Sequence, residues 1–212
     1  MRRALVLALL GLALPSLSNA QDYARPGFYV GVGGTYAFHW FPGDFDPDLA
    51  GGPHVRTSGS GGFNLQGGYR LNSWFGAELE YEWIEGFGNR TSLDGNIAKL
   101  RAQLVSVNGK FLYPGWGRWQ PYGLIGIGAS IWQAKKTTAT VTGGTPTSGL
   151  SRTSAGLGGR IGAGLDAYLT ENWLLTVGIE LVFSTTTIDN STGGNLKNLF
   201  YVPIQFGAQY RF

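Results

Sequence analysis

The 212-residue sequence has 14% charged residues, 35 glycines and no cysteine, about half the usual charge and more than twice the usual glycine content. With 7 Trp, 10 Tyr and 12 Phe against a formal net charge of +3, it is neither a disordered chain nor a scaffold held by disulfides or cysteine-bound zinc. The isoelectric point near 9.2 reflects a small basic excess that is unclustered along the chain, which argues against nucleic-acid binding, while the mean hydropathy of −0.03 taken alone would suit a soluble protein.

The chain starts with Arg2 and Arg3, an apolar run from Ala4 to Leu14, Pro15 and the small-residue stretch Ser18-Asn19-Ala20. This is the layout of a cleaved secretory signal, and the run is too short to span a bilayer. Cleavage is expected after Ala20, which removes two of the three excess positive charges and leaves residues 21–212 as one domain. Export follows from this reading.

Beyond the signal, no stretch is long and apolar enough for a transmembrane helix, and glycine is too dense for stable helices. Period-two alternation recurs instead. Between Phe28 and Trp40, Phe28, Val30, Val32, Tyr36 and Phe38 oppose Tyr29, Gly31, Gly33, Thr35 and His39. From Gly61 to Leu71, Phe63, Leu65 and Tyr69 oppose Asn64, Gln66 and Arg70. From Trp74 to Ile84, Phe75, Ala77, Leu79, Tyr81 and Trp83 oppose Gly76, Glu78, Glu80 and Glu82. Four further segments lie at about 97–113, 121–134, 153–169 and 173–183. The last, Asn198–Phe212, sets Val202, Ile204, Phe206, Ala208, Tyr210 and Phe212 against Tyr201, Pro203, Gln205, Gln209 and Arg211. These make eight strands.

The connections alternate in length. Short ones fall at Asn72-Ser73, 114–120 and 170–172, and long polar ones at 41–60, 85–96, 135–152 and 184–197, as in outer-membrane barrels with short periplasmic turns and long external loops. Residues 67–83 echo 164–183: strand, polar turn, Trp, then a strand with an inward Glu, one hairpin design used twice. Alternation alone would also fit a soluble sandwich. Two features select a barrel in lipid. The segments are ten to eleven residues or longer, suited to a tilted transmembrane strand. Aromatic residues also gather at their ends (Phe38, Trp40, Trp74, Phe75, Trp83, Phe111, Tyr113, Trp116, Trp119, Trp132, Trp173, Tyr210 and Phe212), as interfacial girdles require.

The segments FYVGVGG (28–34), PYGLIGIGAS (121–130), GRIGAGLDAYLTENW (159–173) and QFGAQYRF (205–212) carry a resemblance to the small eight-stranded outer-membrane β-barrel family (OmpA/OmpX/OmpW-like, the outer membrane protein beta-barrel domain). The resemblance covers the whole mature chain. It implies an all-β fold, an eight-stranded closed antiparallel up-and-down transmembrane β-barrel, in the cell outer membrane of a Gram-negative envelope. It further implies that Phe206, Ala208, Tyr210 and Phe212 form the C-terminal signal read by the outer-membrane assembly machinery. The chain's end at Phe212 is expected to leave no room for the peptidoglycan-binding domain of longer OmpA-type proteins.

An eight-stranded barrel is just wide enough for its own side chains. The alternation turns Glu78, Glu80, Glu82, Asp166 and Glu180 inward with Arg70, Lys110, Arg160 and Arg211. Unpaired carboxylates there would cost several kcal/mol each, so a paired plug is expected, with Arg70 one hairpin from Glu78 and Glu80 and Arg160 one hairpin from Glu180. The alternative is a gate or cation-selective path lined by Glu78, Glu80 and Glu82. The fourth segment is less regular: Leu100, Ala102 and Leu104 share one parity, Val105, Val107 and Phe111 the other. Either a bulge lies near Leu104-Val105, or the strand leaves the membrane around Gln103. The second reading is preferred and turns Lys99 and Arg101 outward above the bilayer, towards lipopolysaccharide phosphates. Pro203 removes a ladder donor and raises the expectation of a bulge in the last strand.

Nothing in the sequence assembles a catalytic site. The histidines are His39 and His54, and neither begins the His-x-Ser of the lipid A deacylases; omptin-type proteases need ten strands. Asp44, Asp46 and Asp48 alternate in the first long connection but lack the glycine and terminal glutamate of a calcium loop. The glycine-rich strands precede no helix and make no phosphate site. No cofactor or metal is expected. The first function expected is a structural or surface-interaction role through four external loops, in a monomer whose partners are outer-membrane lipid and lipopolysaccharide and whose extracellular ligand is open. The alternative is a narrow porin-like channel for small solutes, and a less favoured one is an envelope lipid-modifying enzyme.

Overall fold

The computed structural model describes residues 22–39, 59–90, 97–137, 151–186, 188–189, 195–196 and 199–212. The signal segment 1–20, Trp40, the acidic run Asp44, Asp46 and Asp48, and His54 lie outside these. A 3-10 turn at Asp22–Ala24 leads into β1 (Gly27–His39), followed by β2 (Ser60–Arg70), β3 (Phe75–Arg90) and β4 (Ile97–Leu112). After a second 3-10 turn at Pro114–Trp116 come β5 (Trp119–Thr137), β6 (Ser151–Tyr168) and β7 (Trp173–Ser184). The chain closes through the two-residue strands β8 (Ile188–Asp189) and β9 (Asn195–Leu196), which pair with each other, and then β10 (Leu199–Arg211).

The eight long strands form a closed antiparallel barrel in the order β1-β10-β7-β6-β5-β4-β3-β2. Each strand pairs with its neighbours in sequence, and β1 closes the ring against β10, from Tyr29 opposite Arg211 to His39 opposite Tyr201. Closure gives each of the eight long strands a partner on both sides, as backbone in hydrocarbon demands. Among the described residues no helix is long and apolar enough to cross a membrane; the strands cross it.

Period two dictates which side faces out. β7 alternates exposed and buried without a break from Trp173 to Ser184. Val30, Val32, Leu79, Val107, Ile125, Ile127, Leu157, Ile161, Val177, Ile179 and Phe206 stand exposed on the outer wall, Ile127 at 65%. So continuous an apolar band would be untenable in water and is what a lipid-facing surface needs. Both turn-end and outer-end aromatics flank it. At the turn end Phe28 meets Tyr69 (ring centroids 4.6 Å apart), Trp74 meets Phe75 and Phe111, and Tyr210 lies 5.1 Å from both Trp173 and Phe212. At the other end Tyr36 meets Phe38 and Phe63 meets Trp83.

The repeated hairpin has a physical basis. In the first copy the Asn72 side-chain oxygen accepts the backbone N–H of Trp74 and of Phe75 (3.0 and 2.8 Å). In the second, Thr170 Oγ1 accepts those of Asn172 and Trp173 (3.3 and 3.0 Å). A short polar side chain thus replaces backbone partners in each tight turn, and each turn delivers an exposed Trp to the girdle.

Three expectations change. The strands are longer than the alternation indicates: β3 and β4 stay paired out to Arg90 opposite Ile97, and β5 and β6 out to Lys135 opposite Ser151, so residues 85–90 of the segment expected as a loop at 85–96 are strand. The fourth strand has no bulge. Its even residues face inward throughout, from Leu100 to Leu112, with Val105, Val107 and Phe111 outward. The extra residue sits in β3, where the register with β4 shifts between Ile84 and Phe87 around Gly86 at φ +144°. Finally, β10 carries no bulge at Pro203. Pairing with β7 lapses at Val202 and Pro203 and resumes at Ile204 opposite Ile179 in unchanged register, which accommodates the missing N–H without an added residue.

Candidate functional site

The lumen is built in layers, and the layers follow from which residue each strand turns inward. All nine residues read as inward charges are buried in it: Arg70, Glu78, Glu80, Glu82, Lys110, Arg160, Asp166, Glu180 and Arg211.

At mid-height β6 supplies Arg160, β3 supplies Glu80 and Glu82, and β7 supplies Glu180. Arg160 Nη1 lies 2.5 Å from Glu80 Oε2 and 3.0 Å from Glu180 Oε2, and Nη2 donates to Glu82 Oε2 at 3.0 Å. One guanidinium thus gathers three carboxylates, two of them from across the lumen. Neutral donors add to the layer. Gln205 and Asn108 donate to Glu80 (both 3.0 Å), and Tyr201 donates to Glu82 (3.0 Å). Just below, Glu78 accepts from Tyr29 Oη (2.8 Å) and Asn108 Nδ2 (3.2 Å). Charges removed from water need such partners, and in this layer Glu82 Oε1 and Arg160 Nε are left without a hydrogen bond.

Two glycines make the room. Any Cβ at Gly126 would collide with the Asn108 side-chain oxygen, and one at Gly162 would stand 2.5 Å from Glu180 Cγ. The glycine-rich pattern of β5 and β6 therefore clears space for the side chains opposite.

Towards the turn end, Lys110 Nζ pairs with Asp166 at 2.8 Å and lies 4.0 Å from the Tyr122 ring centroid. Below it Arg70 and Arg211 converge on the N-terminal turn. Both donate to the Tyr23 carbonyl (3.2 and 2.7 Å) and to Tyr168 Oη (3.1 and 3.3 Å), and Tyr23 packs its ring against Tyr168. Arg70 also bonds the carbonyls of Asn72 and Ser73 and the Gln120 side chain. The expected Arg70 pairing with Glu78 or Glu80 is not made. The register sets Arg70 opposite Gly76, one step nearer the turn than Glu78, and the turn carbonyls are closer.

The outer end holds what alternation did not show. Ala37, Ile84, Phe87, Leu100, Ala102, Leu104, Trp132, Val182, Leu199 and Tyr201 form one buried apolar cluster inside the barrel. Trp132 and Phe87 both pack on Tyr201, at 5.9 and 6.0 Å between ring centroids. Trp132, counted with the girdle from sequence, is an interior residue only 1% exposed: its even position on β5 faces in with Leu124 and Ser130. The signal was present in the even-parity trio Leu100, Ala102 and Leu104. Beside the cluster Ser130, Ser184 and Thr186 share hydroxyl contacts of 2.6 to 3.0 Å.

The four residues assigned to an assembly signal, Phe206, Ala208, Tyr210 and Phe212, all lie on the outer wall of β10, opposite in phase to Gln205, Gln209 and Arg211. Position 101 is also outward, and Arg101 Nε donates to the Glu85 carbonyl at 3.1 Å. His39 ends β1; its side chain is outside the described set.

A protein-family model described as the outer membrane protein beta-barrel domain matches residues 4–212. No curated protein matches the sequence. Among solved structures the chain is similar to Ail, the attachment invasion locus protein of Yersinia pestis, in complex with the heparin analogue sucrose octasulfate. That match has a TM-score of 0.56 and 20% identity over 89% of this chain and 99% of that one. It is similar to Neisserial surface protein A (TM-score 0.55, 16% identity, 89% and 99% covered). It is also similar to a major outer membrane protein from Thermus thermophilus (TM-score 0.56, 13% identity, 87% and 99% covered). At these identities the shared property is the fold. The lipid-facing wall, the ring closed by β1 and β10 and the match over nearly the full length lead to one conclusion: the chain belongs to the outer membrane protein beta-barrel domain family.

Proposed function

We propose that this protein is a non-catalytic outer-membrane barrel that acts through its external end as an interaction surface. One observation carries the reading. The lumen is filled twice over, by the Arg160–carboxylate layer at mid-height and by the apolar cluster around Trp132 and Tyr201 above it. A bore closed by packed side chains leaves the outer rim and wall as the surface on which the molecule can act. The long strands β3–β6, which project beyond the band of lipid-facing residues, supply that surface, and Ail, named for attachment and invasion, has the same fold.

A second reading has one observation in its favour. Three carboxylates around a single guanidinium leave an acidic lining if that guanidinium moves, which would suit a narrow cation path. Planar-bilayer recording of the refolded protein separates the two. The interaction reading expects silence at all voltages; steady cation-selective conductance, altered by Glu80→Ala, would replace it with the channel.

A further inference from the structure

We propose that the turn-end mouth of the lumen is a binding site for a small oxyanion, a carboxylate or a phosphate, built on Arg70 and Arg211 and closed over by the chain's own residues 22–25. The site lies at the opposite end of the barrel from the interaction surface and does not depend on that reading. Four elements grip Tyr23. The guanidiniums of Arg70 from β2 and Arg211 from β10 both donate to its carbonyl (3.2 and 2.7 Å). The ring of Tyr168 from β6 lies 5.3 Å from its own, and Arg118, just before β5, donates through Nε to its hydroxyl at 3.1 Å. Arg211 also reaches the Arg25 carbonyl at 3.4 Å.

The charge at this mouth selects the ligand. The chamber just inside the strap of residues 22–25 is lined by Arg70, Lys110 and Arg211 and by one acid, Asp166, with Tyr29 and Tyr168 beside them. Asp166 is engaged by Lys110 at 2.8 Å, and Glu78, deeper in the lumen, accepts from Tyr29 and Asn108. Among the described residues the acceptors of Arg70 are all neutral: the carbonyls of Tyr23, Asn72 and Ser73, Gln120 Oε1 and Tyr168 Oη. Arg70 and Arg211 are 3% and 1% exposed, so solvent ions screen them little. Hydrogen bonds from a guanidinium to an ionised oxygen are shorter and about twice as strong as those to a neutral one, and its planar fork matches an oxyanion. Two guanidiniums that converge on one oxygen position are therefore better served by an anion than by the peptide carbonyl of Tyr23.

The strap can leave without disturbing the barrel. It precedes β1, whose ladder with β2 begins at Gly27, so no strand pairing is lost when it swings out. Tyr23 is half-buried, Arg25 and Pro26 are exposed, and Ala24 alone among its described side chains is buried. An anion that takes the place of the Tyr23 carbonyl binds only the open state. Its affinity is then reduced by the fraction of molecules whose strap is open, and loosening the strap must tighten the anion. A turn that only braces the floor of the barrel would produce no such coupling.

The test titrates the refolded protein in neutral detergent micelles with inorganic phosphate and, separately, with acetate, at fixed ionic strength, by isothermal titration calorimetry. Tyr23→Ala removes the ring and hydroxyl contacts that hold the strap and should tighten the bound anion about tenfold. Arg70→Gln should weaken it by at least about tenfold, and Arg101→Ser at the outer end should leave it unchanged. The tighter of the two anions identifies the ligand class. Tyr23→Ala alters no lumen charge, so its arm is decisive whatever Arg70→Gln does to folding. Unchanged or weaker binding in Tyr23→Ala would overturn the proposal, because the turn would then be a fixed part of the floor. Undiminished binding by Arg70→Gln would overturn it as well. So would equal affinity for chloride, which would mean screening of a positive mouth in place of a site, and so would failure of the parent and Tyr23→Ala alike to bind either oxyanion.

Discussion

Arg160 is the residue on which the interior charge balance turns. It is fully buried, and so are Glu80 and Glu82, with Glu180 nearly so. Replacing the guanidinium with an amide, Arg160→Gln, leaves three carboxylates in a dry layer with the few neutral donors that Gln205, Asn108 and Tyr201 provide. Removing one partner of a buried ion pair costs about 3–5 kcal/mol, and urea unfolding of the barrel in micelles should show a loss of that size. Adding Glu82→Gln should return part of it, because one fewer anion is then stranded, so the two changes are not additive. Purely additive losses would mean that the four groups act separately and that the layer is not a network. The sequence showed these residues facing inward, since their parity is opposite to that of Leu79, Ile161 and Ile179. It did not show which acid meets which base. Arg160 reaches across the bore to β3, and distance across a closed ring is not written in hairpin order.

At the scale of elements, the bulge in β3 governs how the outer end is built. Before it, even residues such as Glu82 and Ile84 face inward; after it, Phe87 does. Without the added residue Phe87 would face outward and the apolar cluster would lose a member. Gly86 holds the bulge at φ +144°, a region L side chains rarely adopt. Gly86→Val should therefore destabilise the barrel by about 1–3 kcal/mol, measured by urea unfolding. Gly61→Ala, where a Cβ meets nothing within 4 Å, should stay within about 0.5 kcal/mol. Equal effects at the two sites would show that the backbone conformation at Gly86 contributes nothing. The bulge lies in β3, whereas the change of parity that the sequence displays lies in β4. Alternation marks a face cleanly while one side is apolar and the other polar, and it did so for all eight barrel strands over their membrane-level lengths. At the outer end Leu100, Ala102 and Leu104 make the inner face of β4 apolar as well, and period two then loses its contrast although the backbone keeps it. The bulge needs one positive-φ glycine among 35, which composition does not single out.

For the whole molecule the decisive contact is between its two ends. β1 and β10 are separated by most of the chain, and their ladder is what turns a curved sheet into a ring. It also brings the four outward residues Phe206, Ala208, Tyr210 and Phe212 beside Val30, Val32 and Phe28. The register is testable because the protein has no cysteine of its own. Val32 is the partner of Ala208, at the separation of neighbouring strands that a disulfide can bridge. Val32→Cys/Ala208→Cys should oxidise to an intramolecular disulfide in the folded barrel. The diagonal pair Val32→Cys/Tyr210→Cys, with Cα atoms about 7–8 Å apart, should not. The bond would close a loop spanning most of the barrel and stabilise it by about 5 kcal/mol on the chain-entropy account. Oxidised protein should accordingly need more denaturant or a higher temperature to lose its compact band on unboiled SDS gels, and reduction should restore parental behaviour. Equal oxidation of both pairs would show that the first and last strands slide past each other. Failure of the Val32–Ala208 pair in a barrel that still shifts on heating would place the closure in another register, and with it the alignment of Tyr29 and Thr35 against Gln205 and Arg211 inside the lumen.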